Sequence, residues 1–193
     1  MSTCKQSQPY HHGELKPALL AAAAQLLDEG GVALISLREV ARRAGVSHNA
    51  PYRHFADRDS LLAALAEDGF RELGRRMDAE TGGLAALGQC YVYFALEQPG
   101  RFALMFGAGL DKARYPQLQQ AALALYQRLA LAVHETAPAR EPEVATLAAW
   151  SLVHGLAQLL LDRQLSEAVQ GGLSAAELSE RVTRMFANGL QGG

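Results

Sequence analysis

The sequence predicts an all-α protein, and three observations support this. The chain contains 35 Ala and 31 Leu against 9 Val, 5 Thr and 1 Ile, and Ala and Leu favour helices whereas β-branched residues favour strands. Apolar residues recur at helical spacing along most of the chain. Short segments that contain Gly or Pro separate these stretches, as expected of loops between helices.

The overall composition excludes several classes of protein. The 193 residues are 49% hydrophobic and 20% charged, with a net charge of −2 at pH 7, which excludes a disordered tail and a polybasic nucleic-acid coat. Cys4 and Cys90 are too few and too distant for a disulfide framework or a metal site, so we expect a reduced, cytoplasmic chain. The first ten residues contain no apolar run, and we expect neither a signal peptide nor membrane association.

The first predicted elements are a polar arm over residues 1–12, expected to be disordered, and a helix that begins near Gly13. The apolar residues of this helix share one face of a 3.6-residue period: Leu15, Leu19, Ala22 and Leu26. Gly30 and Gly31 end the helix, because glycine readily adopts the positive φ common at helix C-termini.

A second helix, Leu37–Ala44, has a complete start signal. Ser36 can cap it, and Glu39 three residues later can reach back to form a capping box. Gly45 ends this helix, and a turn follows directly.

A third short helix is predicted from Ser47 or Asn49 to about Phe55. Pro51 lies within this stretch, so the helix either starts late or is 3₁₀-like, with Pro51 in its first turn. Asp57 is a suitable N-cap for a long fourth helix.

The rest of the chain predicts five further helices, giving about nine in all. They are Leu84–Leu96, Pro99–Phe106, Pro116 to roughly Ala137, Glu143–Leu165 and Ser174–Leu190. The predicted organisation is the arm at 1–12, a helix-turn-helix domain over 13–72 with the fourth helix as connector, and a C-terminal domain over 73–193.

The second and third helices, joined by the turn at 44–47, form a helix-turn-helix pattern. In such units the second helix enters the DNA major groove. Between Leu34 and Arg58 there are five Arg against two acidic residues, a local charge of +3. A helix pair with a solvated charged face has the same spacing, so the spacing alone leaves both interpretations open.

The residues of this stretch resemble the DNA-binding domain of TetR-family transcriptional regulators over about the first 65 positions. The motifs that carry the resemblance are Ala44-Gly-Val-Ser47, Tyr52, His54-Phe55, Arg58 and Leu61-Leu62. The resemblance implies DNA contacts from Arg38, Ser47, His48, Asn49, Ala50, Tyr52, Arg53, His54 and Arg58. Among these, Tyr52, His54 and Arg58 match positions that approach phosphates, whereas exposed positions of the recognition helix can read bases.

The second half resembles a C-terminal class of the same family through Trp150, His154 and Gly155, its Trp-His-Gly signature. The resemblance implies that this half binds a small effector and forms a dimer. Aromatic and apolar side chains that either line an effector pocket or form core are Tyr91, Phe94, Phe102, Met105, Phe106, Tyr126, Trp150 and His154. Two stripes that either form a homodimer interface or pack internally are Leu152, Leu156, Leu159, Leu160, Leu178, Val182, Met185 and Phe186.

We therefore expect a homodimeric bacterial-type regulator, by the family's usual mode a repressor. It would be released from a pseudo-palindromic operator in double-stranded DNA by a small hydrophobic or aromatic effector. The alternative is a helical small-molecule-binding or scaffolding protein without DNA function. The sequence contains no His-Glu-x-x-His motif, phosphate loop or nucleophile elbow, so we expect no enzyme activity, cofactor or metal site.

Overall fold

The structure is a computed structural model that describes residues 14–138 and 141–191, and every regular element in that part is helical. Its α-helices are α1 (Leu15–Gly30), α2 (Leu37–Arg43), α3 (Arg58–Asp78), α4 (Gly83–Glu97), α5 (Pro99–Phe106), α6 (Pro116–Thr136), α7 (Pro142–Leu161), α8 (Glu167–Gln170) and α9 (Ala175–Gln191). Three 3₁₀ segments span Val32–Leu34, Pro51–Arg53 and Lys112–Arg114. The predicted all-α class with about nine helices is confirmed, whereas the predicted arm at residues 1–12 lies outside the described residues.

The chain folds as two compact units, the first ending at Leu65 and the second beginning at Ala66. Leu65 and Ala66 both lie within α3, so this helix continues from the first unit into the second. The predicted boundary after residue 72 falls further along the same helix and stays a prediction.

The first unit is built from α1, α2 and the start of α3, with the predicted face of α1 buried. The hydroxyl oxygen of Ser36 caps α2 by accepting a hydrogen bond from the Glu39 amide at 3.1 Å. The second half of the predicted capping box is wrong, because the Glu39 carboxylate instead pairs with Arg42 one turn further along α2.

The second unit is organised around α4, which packs against α6, α7 and α9. Gly88 permits this close approach, since a Cβ atom there would lie 2.8 Å from a methyl carbon of Thr183 and 3.1 Å from Val153. Phe94 on α4 and Phe102 on α5 are among its largest fully buried side chains.

Helix α7 is shorter than predicted and ends at Leu161 instead of Leu165. The chain turns at Arg163, whose φ of 53° is incompatible with a continuing helix, and Ser166 then caps α8. By length and composition, α7 alone among the described helices could cross a membrane, with 33% of its apolar window buried. Its contacts with α4 and α6 identify it as a core helix of the second unit.

Candidate nucleic-acid interface and ligand cavity

The turn of the predicted helix-turn-helix is fixed by backbone hydrogen bonds. The amides of Val46 and Gly45 donate to the carbonyls of Ala41 and Arg42, at 3.0 and 3.2 Å. Gly45 has a φ of +68°, which completes the Schellman pattern that ends α2. The sequence signal for this turn is therefore matched by its geometry.

The segment that follows the turn is 3₁₀-like, as Pro51 suggested. The amides of Ala50, Arg53 and His54 each donate to the carbonyl three residues earlier, at 2.9, 3.2 and 2.9 Å. Pro51 has no amide to donate and its ring is buried. The segment is accordingly a tight turn and one 3₁₀ turn, which agrees with the 3₁₀-like alternative of the prediction.

Eight of the nine sequence-predicted DNA contacts are exposed in the first unit. The exposed residues come from the first turn of α2, residues 47–54 and the start of α3, and Tyr52 is 59% exposed. Ala50 is a correction: its side chain is only 9% exposed, so this position belongs to the core of the unit instead of a DNA-contacting surface.

Two of the five arginines in this region are held by acidic side chains. Arg43 donates two hydrogen bonds to the Glu29 carboxylate, at 2.6 and 2.7 Å, and Arg42 pairs with Glu39. Hydrogen bonds from these guanidinium groups hold the pKa values of both glutamates below their usual range. The local charge of +3 therefore overstates the number of cations available to DNA.

Arg38 and Arg53 are exposed and have no ion-pair partner among residues 14–138 and 141–191. Arg58 has a structural role that the sequence did not indicate: its Nε and one terminal nitrogen donate to the carbonyls of Ile35 and Val32, each at 2.7 Å. These bonds tie the start of α3 to the segment before α2.

An apolar cavity of about 90 Å³ lies within the second unit. Residues from α3, α4, α6, α7 and α9 line it together with Phe106 and Lys112. The lining residues are Phe70, Met77, Leu84, Leu87, Gly88, Tyr91, Phe106, Lys112, Ala122, Leu125, Tyr126, Leu129, Ala149, Trp150, Leu152, Val153, Thr183 and Phe186. A buried apolar concavity with a few polar groups is the usual form of a small-molecule site.

Four of the eight predicted pocket residues line this cavity: Tyr91, Phe106, Tyr126 and Trp150. The other four, Phe94, Phe102, Met105 and His154, are absent from its lining, and the first three are almost fully buried core. The sequence did not predict Phe70, Met77 and Lys112 as cavity residues, because they lie outside the aromatic motifs from which the pocket was predicted. Among the described residues, no group of three or more His, Cys, Asp and Glu side chains could share a metal ion.

Tyr91, His154 and Trp150 form a hydrogen-bonded network, in which Tyr91 and Trp150 line the cavity and His154 does not. The Tyr91 hydroxyl lies 2.8 Å from Nδ1 of His154 and accepts from Nε1 of Trp150 at 3.4 Å. Because indole can only donate, all three groups are satisfied when Tyr91 donates to an unprotonated Nδ1. Burial raises the pKa of Tyr91 and lowers that of His154, which favours these neutral forms.

The predicted dimer residues have four different environments. Leu159 and Met185 are 43% and 70% exposed, whereas Leu160, Leu178 and Val182 are half-buried. Leu156 is a correction, because it is buried within the chain. Leu152 and Phe186 line the cavity, and sequence reasoning missed the exposed Val144 and Leu147 on α7.

Comparison with protein families gives two matches. Residues 84–186 match the profile described as tetracyclin repressor-like, C-terminal domain. Residues 19–65 match the profile of bacterial regulatory proteins, tetR family. The two matches fall largely within the second and first units, respectively.

Individual relatives agree with these families. A helix-turn-helix-type transcriptional repressor of Mycobacterium tuberculosis is 31% identical over 119 residues, covering 62% of this chain and 59% of that protein. The chain thus aligns with less than two thirds of that relative's length.

Solved structures extend the similarity over nearly the whole chain. A Rhodococcus protein of unknown function is 34% identical, with a TM-score of 0.81 over 96% of this chain and 100% of that one. A Thermobifida fusca regulator of the TetR/AcrR family has the same fold, with 22% identity and a TM-score of 0.63 over 90% and 97% of the chains.

Proposed function

The chain belongs to the TetR family of bacterial transcriptional regulators, and we propose that it is a homodimeric, cytoplasmic repressor of the genes behind a pseudo-palindromic operator. In this proposal the first unit binds double-stranded DNA. The second unit binds a small, largely apolar effector and a second copy of the chain.

The observation that carries the proposal is the exposed polar surface that follows the helix-turn-helix turn. His48, Asn49 and Arg53 are exposed there with Tyr52, and Arg38 is exposed at the start of α2. Asn and Arg can make bidentate hydrogen bonds to adenine and guanine edges. Tyr52 suits a phosphate contact, which positions the protein without reading sequence.

The cavity in the second unit supports the effector part of the proposal. It is lined by aromatic and aliphatic side chains, and its polar wall groups Tyr91 and Thr183 already have hydrogen-bond partners. Release of DNA then requires the effector to bind the DNA-incompetent state more tightly. We propose α3 as the coupling element because it belongs to both units.

An exposed apolar surface on α7 and α9 supports the homodimer. Val144, Leu147 and Leu159 on α7 are 59%, 51% and 43% exposed, and Met185 on α9 is 70% exposed. Helices α7 and α9 pack against each other, so these side chains are held on neighbouring elements. A closed two-fold contact is the usual way to bury such a surface.

Electrophoretic mobility shift with the DNA that flanks the gene tests the DNA-binding part. We expect salt-sensitive binding, with Tyr52→Ala weakening affinity for all sequences alike. Asn49→Ala and Arg53→Ala are expected to change sequence preference, each by about 1–3 kcal/mol for a lost bidentate contact. Arg75→Ala is the matched control, because Arg75 is an exposed arginine of the second unit paired with Glu72.

Unchanged DNA affinity in the Tyr52, Asn49 and Arg53 variants would show that the assigned surface is wrong. A wild-type chain that binds no fragment more tightly than random DNA would favour the alternative, a helical small-molecule-binding protein without DNA function.

Light scattering after size-exclusion chromatography tests the homodimer. We expect a dimer for the wild type and a shift toward monomer for Leu147→Glu and Met185→Glu. Leu131→Glu is the control, because Leu131 is a similarly exposed leucine (60%) on α6. A wild-type monomer at micromolar concentration would contradict this part of the proposal.

A further inference from the structure

The cavity of the second unit has one charged residue in its described lining, Lys112. Lys112 begins the 3₁₀ segment before α6 and is half-buried. Its Nζ lies 5.4 Å from the ring centre of Phe70 and 5.6 Å from that of Phe106. These two rings also line the cavity, so the cation is held against the aromatic wall.

Lys112 has no ion-pair partner among the described residues, in contrast to three arginines of the same unit. Arg76, Arg101 and Arg128 each have a carboxylate partner. The acid next to Lys112 is Asp111, but its carboxylate accepts a hydrogen bond from the Ala113 amide at 3.1 Å and caps the 3₁₀ segment.

Burial lowers the pKa of Lys112, and no neighbouring acid offsets this effect. A partly desolvated cation without a partner is unfavourable for the folded chain. The two aromatic faces compensate only in part, since cation–π contacts are weaker than an ion pair out of water. The ammonium is thus the group at the cavity wall that gains most from an anion.

The other polar groups of the wall are already satisfied. The Tyr91 hydroxyl bonds to His154 and Trp150, and the Thr183 hydroxyl donates to the Ser179 carbonyl at 2.8 Å. A neutral apolar ligand would leave Lys112 unpaired, and a cationic ligand would be repelled by it. An anion with an apolar body complements both the charge and the wall.

We propose that the effector is an amphipathic carboxylate, with its carboxylate group paired to Nζ of Lys112 and its apolar body in the cavity. This proposal rests on the cavity being the effector site. An apolar cavity of roughly 150 Å³ accepts benzene, so about 90 Å³ suits a short alkyl chain or, after side-chain adjustment, one ring. Lys112 then selects the charge of the effector while the cavity selects its size.

Isothermal titration calorimetry of the full chain with matched acids and amides tests the proposal. The probes are hexanoate and 3-phenylpropanoate against hexanamide and 3-phenylpropanamide, which share a body and differ in the charge of the head. For the wild type we expect at least one acid to bind about ten-fold or more tighter than its amide, because the carboxylate forms an ion pair with the ammonium whereas the amide offers only a neutral carbonyl acceptor.

Three variants locate the effect. Lys112→Met is expected to abolish the preference for the acid over its amide, because no cation remains to pair with the carboxylate. Lys112→Arg is expected to keep the preference for the acid because it keeps the cation. Arg114→Met is the matched control, since it removes an exposed cation from the same 3₁₀ segment.

Equal binding of acids and amides by the wild type would overturn the proposal, as would a Lys112→Met variant that still prefers the acid. Binding of no probe would overturn it too, together with the effector role of this cavity. Operator binding is measured without a ligand, so it tests the regulator proposal independently of the anion site. If the acids bind a chain that does not bind DNA, the anion site is supported and the regulator proposal is contradicted.

Discussion

The hydrogen bond between Tyr91 and His154 allows a direct test of whether His154 on α7 stabilises the fold. Tyr91→Phe removes the hydroxyl and leaves Nδ1 of His154 and Nε1 of Trp150 without the partner they have at 2.8 and 3.4 Å. A net hydrogen bond contributes about 0.5–1.5 kcal/mol, and a buried group left unsatisfied costs about 1–3 kcal/mol.

The magnitude follows from burial. Tyr91 is 3% exposed, whereas His154 is half-buried, so water can partly replace the lost partner of the imidazole. We expect Tyr91→Phe to lower the free energy of unfolding by about 1–2 kcal/mol. At about 2–4 °C per kcal/mol for a chain of this length, Tm should fall by about 2–8 °C.

A double-mutant cycle with His154→Phe isolates the pair. The phenylalanine keeps a ring against Phe102 and Phe106, whose ring centres lie 5.4 and 5.1 Å from that of His154. Any overpacking occurs in both the single and the double variant and cancels in the cycle. In urea denaturation, the loss of unfolding free energy in the double variant should be smaller than the sum of the two single losses, by about 0.5 kcal/mol or more.

The same pair predicts a pH dependence. Burial lowers the pKa of His154 in the folded chain, so below the ordinary histidine pKa of about 6.5 the unfolded chain binds more protons. Stability from this residue is therefore fully present above about pH 6.5 and is lost as pH falls toward the lower folded value. Between pH 8 and 5.5, the Tm of the wild type should therefore fall further than that of His154→Phe. Additive losses of unfolding free energy in the double-mutant cycle, together with identical pH profiles of Tm, would refute a structural Tyr91–His154 bond.

Three further experiments test the packing of the two units. Arg58→Met removes two hydrogen bonds to backbone carbonyls and should lower the free energy of unfolding by about 1–3 kcal/mol in urea denaturation; an unchanged midpoint would show that these bonds contribute nothing. Gly88→Ala places a Cβ 2.8 Å from a side chain of α9 and should destabilise by about 1–3 kcal/mol, whereas Gly189→Ala, with nothing within 4 Å, should not; equal Tm values would contradict the close packing. Cys90 is buried, and burial raises its pKa to about 11, so in a Cys4→Ser background a thiol reagent should label it only on unfolding; rapid labelling of the folded chain would contradict its burial.

Local signals in the sequence were sufficient for most of the fold. Helix composition, glycine stops and N-caps depend on a residue and its neighbours within one turn. The cap by Ser36, the turn at Gly45 and the 3₁₀ character at Pro51 could therefore be predicted. The end of α7 could not, because Leu165 continues the apolar pattern while the chain turns at Arg163.

Residues of the candidate sites could be predicted only where the position of a residue in its helix or turn determines whether its side chain is exposed. The motif led to the prediction of a DNA-contacting surface around Asn49 and Arg53, and both residues are exposed, but Ala50 and Leu156 face the interior. A repeat of apolar residues does not say which stripe of an apolar helix packs inward, since several neighbouring helices compete for it.

The sequence by itself determined the helical class, the helix-turn-helix and the family resemblance, because these depend on residues close together along the chain. Only the tertiary structure decided that the local charge of +3 is reduced by Glu29, that Arg58 is bonded to backbone, and that Lys112 lines an apolar cavity. Each of these depends on a partner more than a dozen residues away, or on several helices at once. Distance in the sequence carries no information about such contacts, whereas folding sets which charges are paired and which remain available.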